Sequence, residues 1–151
     1  MDCTAFCLHY QDRYLSYTRV RVGDPQLSRR LVETALGSVA TNWSSLVASH
    51  CPAAEAWSIL GALITKAARA GTATKFHNAV YRSLSPLQAD VFVLRHRLSL
   101  SDEEAADLMG VEQPLVASQL RMAHRKARQL GNALDTAPGA NPEEPPTAAR
   151  A

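Results

Sequence analysis

Apolar residues recur along this chain at spacings of three and four, the period of an amphipathic helix, and no stretch alternates like a half-buried strand. Residues 4–22 carry an aromatic stripe of Phe6, Tyr10, Tyr14 and Tyr17, with Leu8, Leu15 and Val22 beside it. Gly23-Asp24-Pro25 breaks that pattern. Leu27, Leu31, Ala35, Val39, Trp43 and Leu46 predict a second helix from about Gln26 to Ala48. After Cys51-Pro52, a third runs to about Ala70 with Trp57, Leu60, Leu63, Ile64 and Ala67 inward. Gly71-Thr72-Ala73-Thr74 has no large apolar residue and reads as a linker. Phe76, Val80 and Leu84 predict a fourth helix. Ser85-Pro86 opens a fifth, as N-cap and first-turn proline, lined by Leu87, Val91, Leu94 and Leu98.

The stretch Ser101 to Leu130 has the layout of a helix-turn-helix. Ser101 and Glu104 form a capping-box pair at the start of a short helix. Ala105, Leu108 and Met109 share one face. Gly110 stands where a helix ends in a left-handed residue, and Val111 is placed to plug the corner. Pro114 suits the first turn of a longer helix, in which Val116, Leu120, Ala123, Ala127 and Leu130 form one continuous stripe. Arg121, His124, Arg125, Lys126 and Arg128 lie off it. A short helix, a glycine corner and a longer helix with a basic flank form a common device for entering the DNA major groove.

Charge changes this picture in one respect. The net charge is only +2. The segments before and after residue 70 are each mildly basic, and the end is mildly acidic. That is weak footing for holding DNA alone, because phosphate neutralisation supplies much of the affinity. A partner that supplies further contacts removes the mismatch. No apolar run reaches the roughly 20 residues that span a bilayer, and no signal peptide is legible, so a cytoplasmic, nucleoid-associated protein is expected. Three cysteines do not make a disulfide framework. Cys3, Cys7 and His9 are too few for an ordinary zinc site, so the cysteines read as reduced thiols and no metal or cofactor is expected. No phosphate loop or nucleophile–base set is present, and the histidines are scattered, so an enzyme is the poorest reading. From about Asp135 the chain is rich in Pro and Ala and reads as disordered.

The order of elements resembles the bacterial RNA polymerase sigma factors of the extracytoplasmic-function class, over roughly residues 4–132. The segment LSPLQADVFVLRHRLSLSDEEAADLMGVEQPLVASQLRMAHRKARQL at 84–130 matches the pattern of the family's region 4. The front segment, HYQDRYLSYTRVRVGDPQLSRRLVETAL, is similar to region 2. The resemblance implies an all-α fold, an N-terminal three-helix bundle (1–70), a short linker (71–75), a four-helix domain with a helix-turn-helix (76–132) and a disordered tail (133–151). It implies core RNA polymerase and promoter DNA as partners, with an anti-sigma factor as a candidate third. By position, the polymerase-binding face falls on Arg29, Arg30, Glu33, Thr34 and Gly37. Trp57, Lys66 and Arg69 fall on the helix that opens and reads the minus-ten element, although Trp57 suits a core position better. Gln113, Leu115, Ala117, Ser118, Gln119, Arg121, Met122 and Arg125 fall on the helix that reads the minus-thirty-five element.

The chain departs from the family at informative positions. Arg30 stands where the family commonly has an acid that meets a basic clamp surface. Ala117, Gln119 and Met122 stand where it commonly has Lys or Arg, which removes phosphate contacts. Gln and Ser remain able to read base edges, and Leu115 and Met122 can cover thymine methyls or form an apolar protein-binding patch. Two alternatives therefore stand beside a sigma-like initiation factor. One is a stand-alone helix-turn-helix regulator. The other is a sigma-like protein-interaction module that has lost promoter recognition.

Overall fold

The computed structural model describes residues 1–136, and every regular element among them is helical. The elements are α1 (Cys3–Val22), α2 (Pro25–Thr41), α3 (Trp43–Val47), α4 (Pro52–Ala67), α5 (Lys75–Ser83), α6 (Pro86–Phe92), α7 (Asp102–Met109) and α8 (Gln113–Thr136). Widened π-type turns, Ala68–Thr72 and Val93–Arg97, extend α4 and α6. The expected disordered tail starts too early at 133, because α8 continues to Thr136, and from residue 137 on it lies outside the described residues. None of the described helices is long and apolar enough to cross a membrane.

Local chemistry places most of the boundaries. Asp2 accepts from the Ala5 amide and opens α1, and Asp24 accepts from Gln26 and opens α2 behind Pro25. Ser85 with Gln88, and Ser101 with Glu104, form complete capping boxes at α6 and α7. Thr74 belongs to two helices at once. Its hydroxyl accepts from the His77 amide to open α5, and it donates to the Val20 carbonyl at the end of α1. Its own amide donates to the Arg21 carbonyl. The expected linker is therefore pinned at its last residue to the end of α1.

The expected second helix is two helices. Asn42 leaves helical geometry at φ −108° and ψ 23°. Its amide and side chain both donate to the Ser38 carbonyl, and Thr41 Oγ1 donates to the Gly37 carbonyl. These local bonds compete with continuation of the helix. The break swings Trp43 onto Phe6, with ring centroids 5.4 Å apart.

The aromatic stripe of α1 is the spine of the core, with Phe6, Tyr10, Tyr14 and Tyr17 all buried. Val32, Ala35 and Val39 of α2, and Ala56, Leu60 and Ile64 of α4, pack around it. The same apolar cluster continues without a break into Val91, Val93, Leu94, Ala105, Leu108, Met109 and Val116. Two apolar expectations need correction. Leu8 is 66% exposed, because it lies well round α1 from Phe6. The stripe of α8 is buried at Val116 and Ala123, half-buried at Leu120, and exposed at Ala127 and Leu130. Among the described residues, these last apolar positions lie past the part of α8 that is packed into the core.

Candidate functional site

α7 and α8 meet across Gly110, which takes the left-handed conformation at φ 70° and ψ 38°. The Gly110 and Val111 amides both donate to the Ala106 carbonyl, closing the end of α7. A Cβ on Gly110 would run into the Ala54 backbone at the start of α4. Cys51 Sγ donates to the Gly110 carbonyl at 3.6 Å. The corner thus rests on α4, a contact that no local pattern announces.

On α8, Gln113, Arg121, Met122 and Arg125 are exposed, while Leu115, Ala117, Ser118 and Gln119 are half-buried. Leu115 and Met122 stand two turns apart, so they share a face. Ser118 Oγ donates to the Leu115 carbonyl at 3.1 Å, so its donor is committed to its own helix. Its lone pairs remain able to accept. Beside α8, His124 and His96 meet Nε2 to Nε2 at 2.5 Å. Burial, then His124 and Arg95, hold the His96 imidazole below its ordinary range.

Arg29, Arg30, Glu33, Thr34 and Gly37 are all exposed on α2, opposite the buried Val32, Ala35 and Val39. Arg29 and Glu33 border a 200 Å³ hollow with Gln11 and Leu15 of α1. Lys66 and Arg69, also exposed, line a trough of 490 Å³ along α4 with Ser58, Gly61 and Thr65. Trp57 is half-buried in the core, its ring 4.5 Å from that of Tyr17. The three sets therefore lie on different elements: α2, α4 with its widened end, and α8.

Two polar constellations escaped the reading of the sequence. The first joins α1 to α7. Arg13 donates to Glu104 at 3.1 Å, Tyr10 donates to Asp107 at 3.3 Å, and His9 Nε2 lies 3.3 Å from the same carboxylate. Burial, and then Asp107, push the Tyr10 phenol up to about 12. The Ser101 amide, with Arg13, holds the Glu104 carboxyl below its usual range.

The second constellation is buried. Tyr17 and Tyr81 both donate to Asp90 Oδ1, at 2.6 and 2.5 Å. Arg21 Nη1 donates to the Tyr17 hydroxyl at 2.8 Å, and Arg21 Nε donates to His77 Nδ1 at 3.1 Å. The His77 ring stacks on Tyr81 at 4.5 Å, and the Arg21 guanidinium lies 4.1 Å from the Tyr81 centroid. Burial pushes Tyr17, Tyr81 and Asp90 up, and the tyrosine hydrogen bonds and Arg21 pull Asp90 back. Burial, then Arg21, lower His77 to about 4. One signal was legible: Arg21 follows Tyr17 by one helical turn and so continues the buried stripe.

No group of three or more His, Cys, Asp or Glu side chains that could hold a metal ion occurs among the described residues. The helices and caps define an all-α protein whose candidate contact residues lie on different elements. Compared with known protein families and with curated proteins, the chain matches none.

Proposed function

We propose that the chain is a sigma-like transcription factor that binds core RNA polymerase and promoter DNA to direct initiation. In this reading residues 1–70 are a region 2-like helical unit, 71–75 the linker, and 76–132 a region 4-like unit with α7 and α8 as its helix-turn-helix. The observation that carries the reading is the capped α7, the left-handed Gly110 corner and the exposed Gln113, Arg121 and Arg125 on α8. Arg121 and Arg125 have the chemistry for phosphates, and Gln113 for a base edge. The exposed row on α2 supports a polymerase-facing surface, and Lys66 and Arg69 support a second cationic contact with DNA. The protein performs no chemistry of its own and acts in the cytoplasm, on the nucleoid.

A second reading has a specific observation behind it. Met122 is 41% exposed on the face of α8 that carries Leu115, and Gln119 brings no charge there. That face suits a protein partner such as an anti-sigma factor, in a scaffold that no longer reads promoters.

The test is a pull-down of bacterial core RNA polymerase with the purified protein and with Arg30→Asp, followed by transcription from a genome-wide promoter pool. Stable capture by the wild type and promoter-dependent transcripts are expected. Capture by Arg30→Asp alone means a sigma scaffold that has abandoned polymerase. Capture by neither sinks the initiation reading. Tight, salt-sensitive DNA binding at physiological ionic strength counts against the protein-interaction reading.

A further inference from the structure

A cavity of about 540 Å³ opens beside the buried network, between α1, α4, α5 and α6. Its volume falls within the range of small-molecule sites. Arg21 and Asp90 line it from within, and Arg69 lines it from the exposed end of α4. The trough that holds Lys66 shares Ser58, Gly61, Thr65 and Arg69 with it. A Cβ at Gly61 would meet nothing within 4 Å, so that wall is bare backbone facing open space.

Arg21 makes this more than a surface hollow. It is only 5% exposed, yet among the described residues no carboxylate lies within ion-pair distance of it. Its link to Asp90 runs through the Tyr17 hydroxyl. Nε is committed to His77 and Nη1 to Tyr17, and among the described residues Nη2 makes no hydrogen bond, in a residue that lines the cavity. The Tyr17 and Tyr81 side chains and the more distant Asp90 offset the burial of this guanidinium, and an acidic ligand group adds the direct charged contact it lacks. Arg21, Arg69 and Lys66 together outnumber Asp90, whose Oδ1 already accepts from two phenols. The local field therefore favours an anion.

We infer that this cavity binds a small organic anion, a carboxylate or a phosphate ester, with its acidic group on Arg21 Nη2 and a second contact to Arg69. Asn78 of α5 and Ser58 and Thr65 of α4 supply neutral hydrogen-bonding groups along the walls. The depth of Arg21 selects a small molecule over a nucleic-acid strand. The occupant touches α1 and α4 on one side and α5 and α6 on the other. Binding therefore ties the two halves of the chain together and raises the stability of the folded protein. The inference is independent of the transcription reading, and its test needs neither polymerase nor promoter.

The full chain is titrated with inorganic pyrophosphate and, separately, with citrate at constant ionic strength, and followed by thermal unfolding and calorimetry. Saturable one-site binding with a rise in Tm is expected. Binding of pyrophosphate alone assigns the site to phosphate chemistry, and of citrate alone to carboxylates. Arg69→Ala, an exposed change, weakens binding about tenfold or more, the value of one charged hydrogen bond. Gly61→Leu fills the cavity and abolishes binding, with the helical fold verified by circular dichroism, while Arg82→Ala on the outside of α5 binds as the wild type does. No saturable binding of either probe overturns the inference. So does undiminished binding by Gly61→Leu or Arg69→Ala. Binding of a single-stranded oligonucleotide that depends on Arg69, with neither small anion bound, assigns the trough to nucleic acid and also overturns it.

Discussion

Tyr14 and Tyr17 sit one turn apart on the same buried stripe, and their hydroxyls have opposite fates. The Tyr14 hydroxyl is buried with no hydrogen-bond partner among the described residues, and burial pushes the phenol far above its ordinary range. The Tyr17 hydroxyl accepts from Arg21 and donates to Asp90. An unpartnered buried hydroxyl is a cost, whereas removing a partnered one strands its neighbours. Tyr14→Phe is therefore expected to be neutral or to stabilise by about 1 kcal/mol, and Tyr17→Phe to destabilise by about 2–3 kcal/mol. Urea denaturation of both variants measures the contrast. Equal losses in the two would mean that the Arg21–Tyr17–Asp90 chain contributes nothing to the fold. The stripe was legible from spacing, and these opposite fates were not. Both residues are simply Tyr at a helical period, and the carboxylate that sets Tyr17 apart comes from α6.

Among the elements, the α7–α8 corner shows how a local rule becomes a tertiary one. Ser101, Glu104 and Gly110 are enough to place both ends of α7, because capping and left-handed geometry act within a few residues. Gly110 carries a second constraint, because the Ala54 backbone occupies the space a side chain would need. Gly110→Ala incurs about 1 kcal/mol from the left-handed backbone and a further 1–3 kcal/mol from overpacking against α4. A loss of only the backbone part in chemical denaturation would show that α4 yields at this contact. The break at Asn42 teaches the converse. The apolar period ran straight through it, because Ala35, Val39, Trp43 and Leu46 keep helical spacing. The hydrogen bonds of Asn42 and Thr41 to the preceding turn decided against one long helix.

At the scale of the whole molecule, one apolar cluster and one polar network span residues 71–75, the expected linker. His77 stands just beyond it, stacked on Tyr81 and accepting from Arg21. Its folded-state pKa is lowered to about 4 by burial and then by Arg21. The unfolded chain therefore takes up a proton that the folded chain refuses as pH falls from about 6.5 towards 4. This group's contribution is fully present at neutral pH and is lost through that window, up to about 2–3 kcal/mol. Asp90 works in the opposite sense, because a raised carboxyl pKa favours the folded state as pH falls. The effect of His77 is isolated by comparison with His77→Gln, which keeps an acceptor for Arg21. Stability measured at pH 7 and pH 5 is expected to fall less in the variant than in the wild type. Parallel pH profiles would place the His77 proton outside the folding equilibrium.

Composition, helical period and capping chemistry by themselves determined that this is an all-helical chain. They also determined where most helices start and stop, and which residues of α1, α4 and α6 face inward. Those properties depend on neighbours within one or two turns, so they are written in the order of residues. Which exposed faces share a surface, and which polar groups meet, depends on contacts between residues dozens of positions apart. Only the tertiary structure joined Arg13 to Glu104, set Gly110 against Ala54, and turned Arg21, His77, Tyr81 and Asp90 into one buried network beside a cavity. No spacing along the chain encodes such pairings, because each is settled by how helices pack once their apolar faces are buried together.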